Sequence, residues 1–277
     1  VEILYWQCDT GAAGNMLMAS LLELHPSPKD FIEKLNSLGI PGVSVIVETG
    51  IKNETEGTRI SALVHGKDEN AENSPLHSHS GMRLRRAKDN AVSSVRTNSH
   101  SRSRHSHGHT GMGDIAELIR GLDIPEKVKS DVFAVYRILG EAEASAHGTS
   151  VEKVHFHEVG SLGSITDILG ICMLIYELAP EKILASPVHV GTGTVLCSHG
   201  VLPVPTPATA YILKDIPSYG GEVFGELCTP TGAAILKHFA EDFGEIPEMT
   251  VGKIGYGFGK NDHRAANCVK AIFGSVE

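Results

Sequence analysis

Aromatic side chains are scarce in this chain, at 5% of 277 residues with a single Trp. Long apolar runs are missing as well. The longest, Ile165–Ala179, is interrupted by Asp167 and Glu177 and is too short to cross a bilayer, so it reads as a buried helix. Five cysteines (Cys8, Cys172, Cys197, Cys228, Cys268) form no Cys-x-x-Cys pair and are odd in number. That argues against a secreted disulfide framework and for reduced thiols. No charged–apolar–small leader precedes the first strand signal, the first residue is Val, and a cytoplasmic location is expected. No Gly-Lys-Ser/Thr follows any glycine cluster, which excludes a P-loop, and no Gly-x-Ser-x-Gly elbow offers a serine nucleophile.

What remains is an ordinary soluble composition, 41% hydrophobic and 21% charged, far from collagen-like or wholly disordered chains. One large domain or two small ones of this total length bury roughly three quarters of the unfolded surface. The net charge of −9 should repel nucleic acid and anionic membranes. Residues 74–110 depart from that average. They hold seven Lys/Arg against one acid, six of the fifteen histidines, nine serines and no aromatic residue. Such a stretch cannot build a core.

Ile3–Trp6 is a compact apolar run that breaks at Gln7–Gly14 and resumes at helical spacing over Asn15–Leu24, which predicts strand, loop, helix. A second helix is expected over Asp30–Leu38, then a strand pair over Val43–Glu48 and Thr58–Val64. From Gly66 to Gly113 no apolar period holds, apart from a short helix near Leu84–Val95. Helices follow over Asp114–Leu122, Pro125–His147 and Ser164–Leu178, the middle one with Gly148 just past its end. Strands near Val154–Val159, Lys182–Ala185, Val188–Val190 and Ala266–Phe273, with helix starts at Thr206 and Thr229, complete the pattern. The fold class is mixed α/β or α+β: a sheet with packed helices. It divides into an N-terminal strand–loop–helix and strand pair (1–65), a disordered, basic, His-rich insert (66–113) and the main α/β portion (114–277).

The sharpest chemical signal is His155-Phe-His157-Glu158. On a strand, residues two apart share a face, so His155 and His157 can present two imidazoles to one metal. Cys197-Ser-His199 repeats the spacing with a thiol and an imidazole, and this donor set suits Ni, Zn or Cu rather than Mg or Ca. The alternative is that both pairs are ordinary polar residues bonded to backbone. In the insert, His77, His79, His105, His107 and His109 offer loose capture sites for a divalent metal. Without an aromatic for base stacking, RNA binding by the insert is the weaker reading. Gly11, Gly14, Thr229, Thr231 and Gly232 stand at loop-to-helix junctions where unpaired N–H groups can hold a phosphate, although Thr followed by Pro also begins ordinary helices. Asp9, just past the first strand, is a candidate acid or base. Asp167 reads as a helix-start acid and Cys172 as packing.

Together, Cys8–Met16, Val154–Gly160, His199–Thr209 and Gly225–Ala233 resemble the LarC family of nickel insertion proteins, in its N-terminal part. The long helix into His155, the insert before it and Gly255-Tyr-Gly257 fit as well. The resemblance implies nickel delivery into pyridinium-3,5-bisthiocarboxylic acid mononucleotide, forming the nickel-pincer cofactor of lactate racemase-type enzymes in a lyase-class (cyclometallase) reaction. It implies Ni2+, and CTP with Mg2+ or Mn2+ in a C-terminal domain absent from this chain, so a partner chain or domain is expected. A homo-oligomer is expected too. His155, His157, Cys197 and His199 would hold nickel, and Glu158 or Asp9 would take the ring proton. The family has an acid where this chain has Gln7, Asn15 and Gly163, which weakens any metal or acid–base role of that loop. Two other readings stand beside this one: a nickel chaperone or store without turnover, and a zinc hydrolase built on the His-x-His pair.

Overall fold

The structure, a computed structural model, describes residues 1–68, 110–260 and 267–277. The expected helix near Leu84–Val95 and the five insert histidines lie outside those residues.

Trp6 is fully buried on the strand Glu2–Gln7, inside an eight-stranded sheet. Across the sheet the order is Asp242–Phe243, Lys182–Ala185, Glu2–Gln7, Cys268–Ser275, Thr250–Phe258, Thr55–Val64 and Val43–Lys52, with Lys67–Asp68 added beside Thr55–Val64. The first three run parallel, whereas Cys268–Ser275 is antiparallel to both neighbours. Strands from both the N-terminal segment and the C-terminal portion therefore complete one sheet. The hairpin joining Val43–Lys52 to Thr55–Val64 turns on Asn53 and Glu54, both at positive φ, as a two-residue turn matching the strand twist requires.

Seven helices are described: α1 (Gly14–Leu24), α2 (Pro28–Ser37), α3 (Met112–Gly121), α4 (Glu126–His147), α5 (Leu162–Leu178), α6 (Pro207–Ile212) and α7 (Pro230–Phe239). The apolar run read as a buried helix is α5, whose residues from Ile165 to Ile175 are all buried. Burying Leu169 and Leu174 contributes about 2 kcal/mol each. Helix α1 lies on the sheet at a distance only glycine permits. A Cβ at Gly257 would stand 1.9 Å from the Met16 carbonyl oxygen, and one at Gly255 2.1 Å from that of Ser20. The same glycines hide the strand Thr250–Phe258 from pattern reading, since they replace the β-branched residues that announce a strand.

One expected element is much shorter. The strand over Val154–Val159 reduces to His155–Phe156, paired antiparallel with Thr110–Gly111. Lys153 ends a 3-10 turn on one side, and on the other the chain folds back so tightly that a Cβ at Gly160 would lie 2.5 Å from that of Phe156. The hairpin Thr194–Cys197/Gly200–Pro203 carries no clear sequence signal. Among the described residues, no helix is long and apolar enough to cross a membrane.

Candidate metal centre

Helix α4 delivers the first histidine. Its last residue is His147, and Gly148 stops it in the left-handed conformation at φ 61°. A helix C-terminus carries partial negative charge, so a cation is favoured there. One turn earlier, Glu143 places Oε2 3.4 Å from His147 Nε2. The second histidine, His157, follows the short strand His155–Phe156, whose Phe156 is buried and anchors the segment. The third, His199, stands at the tip of the hairpin, where Ser198 and His199 form a two-residue turn between Cys197 and Gly200.

These three segments bring their histidines together. Ring centroids are 4.8 Å apart for His157 and His199, 4.9 Å for His147 and His199, and 6.3 Å for His147 and His157. One nitrogen from each ring lies within 4.8 Å of the others, and all three residues are exposed. A tetrahedral ion with bonds of about 2.1 Å needs donor atoms roughly 3.4 Å apart.

Carboxylates hold and surround the cluster. Glu158, directly after His157, accepts a hydrogen bond at 3.0 Å from the backbone N–H of Ser198, directly before His199. One side chain thus ties two of the histidine-bearing segments. The Glu158 carbonyl in turn accepts from the Ser164 hydroxyl at 3.0 Å and the Ser161 N–H at 3.2 Å, which fixes the turn to the start of α5. Burial raises the Glu143 carboxyl, and Glu158 raises it further, while His147 and His199 pull it down. Glu226 is pushed up to about 7, first by burial and then by the charge of Glu158, against a hydrogen bond from Thr206 at 3.3 Å. A divalent cation at the histidines would relieve this crowding of negative charge.

The four residues expected to hold a metal are placed differently. His157 and His199 meet. His155 is exposed on its strand and Cys197 sits on the hairpin; neither belongs to the three-residue group. The shared-face argument needs a strand running through His157, and the strand ends one residue short of it. The Cys197 thiol donates to the Gly200 carbonyl across the hairpin at 3.4 Å, and burial raises its pKa. His147 was the residue missed. Its signal was present: a histidine closing a long helix before glycine, four residues after a glutamate.

Asp9 lies elsewhere, at the end of the strand Glu2–Gln7, where the Gln7 amide donates to it. The five helix-start residues form one packed junction. The Ala12 N–H donates to Leu227 O at 2.9 Å and the Thr229 N–H to Ala12 O at 3.0 Å. Thr229 Oγ1 caps α7 by accepting from the Gly232 N–H at 3.2 Å. A Cβ at Gly232 would stand 2.1 Å from Ala12 O, and one at Gly11 2.3 Å from Leu227 O. Gly14 faces Thr231 and Asp167, both buried.

A family model described as nickel insertion protein matches residues 4–277. The chain belongs to that family. A pyridinium-3,5-bisthiocarboxylic acid mononucleotide nickel insertion protein of Acetivibrio thermocellus is 34% identical over 279 residues, covering all of this chain and 61% of the relative. A putative nickel insertion protein of Myxococcus xanthus is likewise 34% identical, with the same coverage. A pyridinium-3,5-bisthiocarboxylic acid mononucleotide nickel insertion protein of Desulfitobacterium hafniense is 41% identical over 180 residues, 65% of this chain and 45% of the relative. The chain thus spans about three fifths of the length of the nickel insertion proteins it matches end to end. No solved structure matches it.

Proposed function

We propose that this chain takes up a nickel(II) ion on His147, His157 and His199 and delivers it into a pyridinium mononucleotide bearing two thiocarboxylates. The observation that carries the reading is the meeting of three imidazoles from three separate segments. Imidazole suits nickel, and three ligands leave positions open through which sulfur donors of a substrate can take the ion over. Forming two sulfur–nickel bonds and one carbon–nickel bond displaces the proton on the ring carbon, which a base must accept. Glu158 directly follows His157, and Glu226 stands close to the charge of Glu158; Asp9 lies apart from the cluster. The insert histidines serve as a gathering arm upstream of the folded site. Hydrolysis of CTP with Mg2+ or Mn2+ belongs to the further length that the relatives possess.

The test is nickel titration of the chain with and without residues 74–110. One nickel per chain after deletion, weakened about a hundredfold by His147→Ala or His157→Ala, is the expected result. Loss of all binding with the insert would overturn the histidine assignment. The exposure of all three histidines also favours a second reading, a nickel-holding module that hands the ion on without turnover. Nickel insertion by the complete protein, with this chain alone binding nickel but inactive, would favour that module. Preference for zinc over nickel, with hydrolytic activity, would instead indicate a three-histidine hydrolase.

A further inference from the structure

The two edges of the eight-stranded sheet are unlike. One is the two-residue strand Asp242–Phe243, the other the ten-residue strand Val43–Lys52. An edge strand presents a row of N–H and C=O groups to any further strand, and proteins blunt such edges by shortness, proline, bulges or cover. Val43–Lys52 is long, holds no proline and keeps an unbroken register with Thr55–Val64.

Register decides which backbone groups point outward. Lys52 and Thr55 flank the two-residue turn, so Lys52 and every second residue before it bond to the neighbouring strand. The odd-numbered residues turn their N–H and C=O groups to the open side. The chain itself covers the first two. The Val43 N–H donates to Ile40 O at 3.2 Å. The Asn36 side chain of α2 takes both groups of Val45: its Oδ1 accepts from the N–H at 2.7 Å, and its Nδ2 donates to the carbonyl at 3.1 Å. Beyond Val45 this cover stops. Among the described residues no strand lies beside Val47, Thr49 and Ile51, and at Asn53 the chain turns with positive φ. Val47 is 40% exposed and Ile51 74%, although both share the strand face on which Val45 is buried.

The three open positions are symmetric about Thr49. We propose that this strand pairs antiparallel with the same strand of a second copy of the chain, on a two-fold axis through Thr49. Thr49 then meets its own copy, and Val47 of each chain meets Ile51 of the other. Every outward N–H and C=O of the three residues is bonded, six hydrogen bonds in all by the antiparallel pattern. Two valines and two isoleucines close around the axis, and Glu48 stands opposite Gly50 with no like charge facing it. Neighbouring axes fail. Through Glu48, two carboxylates would stand face to face; through Val47, Thr49 would press on Val45, which Asn36 already holds. Through Gly50 or Ile51, an open position would meet the turn at Asn53. A second copy is the occupant because the open stretch is complementary to itself, as an isologous contact requires. The inference is independent of the nickel reading.

The test is sedimentation equilibrium of the whole chain, beside oxidative cross-linking of single-cysteine variants. A dimer is expected at a chain concentration of about 100 µM, since so narrow a contact binds modestly. Thr49→Pro removes an outward N–H that makes no bond to Thr55–Val64, and should weaken the dimer about thirtyfold or more. Val47→Lys, which leaves the backbone untouched, should weaken it as well by placing a charge beside Ile51 of the partner. In Thr49→Cys the two Cα atoms would lie about 5.5 Å apart, within reach of a disulfide, so the chain should cross-link to itself. Ser44→Cys, exposed on the same strand but far from the axis, should not. A monomer at that concentration would overturn the proposal. So would a dimer that survives both Thr49→Pro and Val47→Lys, or cross-linking of Ser44→Cys in preference to Thr49→Cys. A chain that dimerises only once residues 74–110 are deleted would show that the insert occupies the strand, and would overturn it equally.

Discussion

Two regions of this molecule use their chemically suggestive residues in opposite ways. At the junction of α1 and α7, glycines and threonines dense enough to look like a phosphate cradle are pressed backbone to backbone, with Gly232 and Gly11 at distances no side chain tolerates. At the candidate metal centre, three histidines far apart in sequence stand exposed, and their segments are fixed by Glu158 and the buried Phe156. In the first region the residues hold the fold together; in the second they are held by it. A dense motif is thus evidence of a constraint on the backbone, and not by itself of a ligand.

This contrast predicts a double dissociation. The largest effect belongs to the junction. Gly232→Ala forces a methyl group onto Ala12 O, and the loss of stability should be about 3 kcal/mol or above in a denaturant titration. The fraction that remains folded should bind nickel normally, and a neutral Gly232→Ala would break the comparison.

Glu226 lies between the two extremes, because it is both half-buried and close to the charge of Glu158. Its carboxyl is raised from 4.5 in the unfolded chain to about 7, so the native state binds the extra proton between those values. Stability therefore falls as pH rises from about 4.5 to 7 and is level above that. Glu226→Gln removes this slope while keeping an acceptor for Thr206, and should stabilise the metal-free protein at pH 8 by up to about 3 kcal/mol. A pH-independent difference between the two proteins would disprove the assignment.

His157→Ala is expected to do the reverse of the junction variant. Nickel affinity should fall about a hundredfold, near 2.7 kcal/mol, while the metal-free unfolding midpoint stays within about 0.5 kcal/mol of the parent. An equal loss in both measurements would mean that the histidines are structural.

The fold was legible wherever periodicity and end signals agree. The run over Ile165–Ala179 became α5, and Gly148 ended α4 as a glycine after a long helix should. It was illegible where tertiary approach replaced pattern, as in Thr250–Phe258, whose glycines exist to admit α1. The centre was half legible. His157 and His199 carried a motif, but His147 owes its place in the candidate group to where a helix of 22 residues happens to end in space, and local spacing holds no record of that. His155 looked equivalent to His157 only on the assumption of a continuing strand, which the fold-back of Gly160 onto Phe156 prevents.

The smallest expected effect is also the most discriminating one. Glu158 can act by holding the Ser198 N–H, and so His199, or by accepting the ring proton during nickel insertion. Glutamine keeps an oxygen that accepts from an N–H but has no basicity, whereas alanine has neither. If Glu158 holds the turn, Glu158→Ala should weaken nickel binding about tenfold and Glu158→Gln should restore it, since an orienting partner of a ligand typically contributes that much. If Glu158 is the proton acceptor, both variants should bind nickel as the parent does, and both should fail in insertion by the complete protein. Restored binding with lost insertion in Glu158→Gln would assign it both tasks, and the contrast between holding residues and held residues would then end at this side chain.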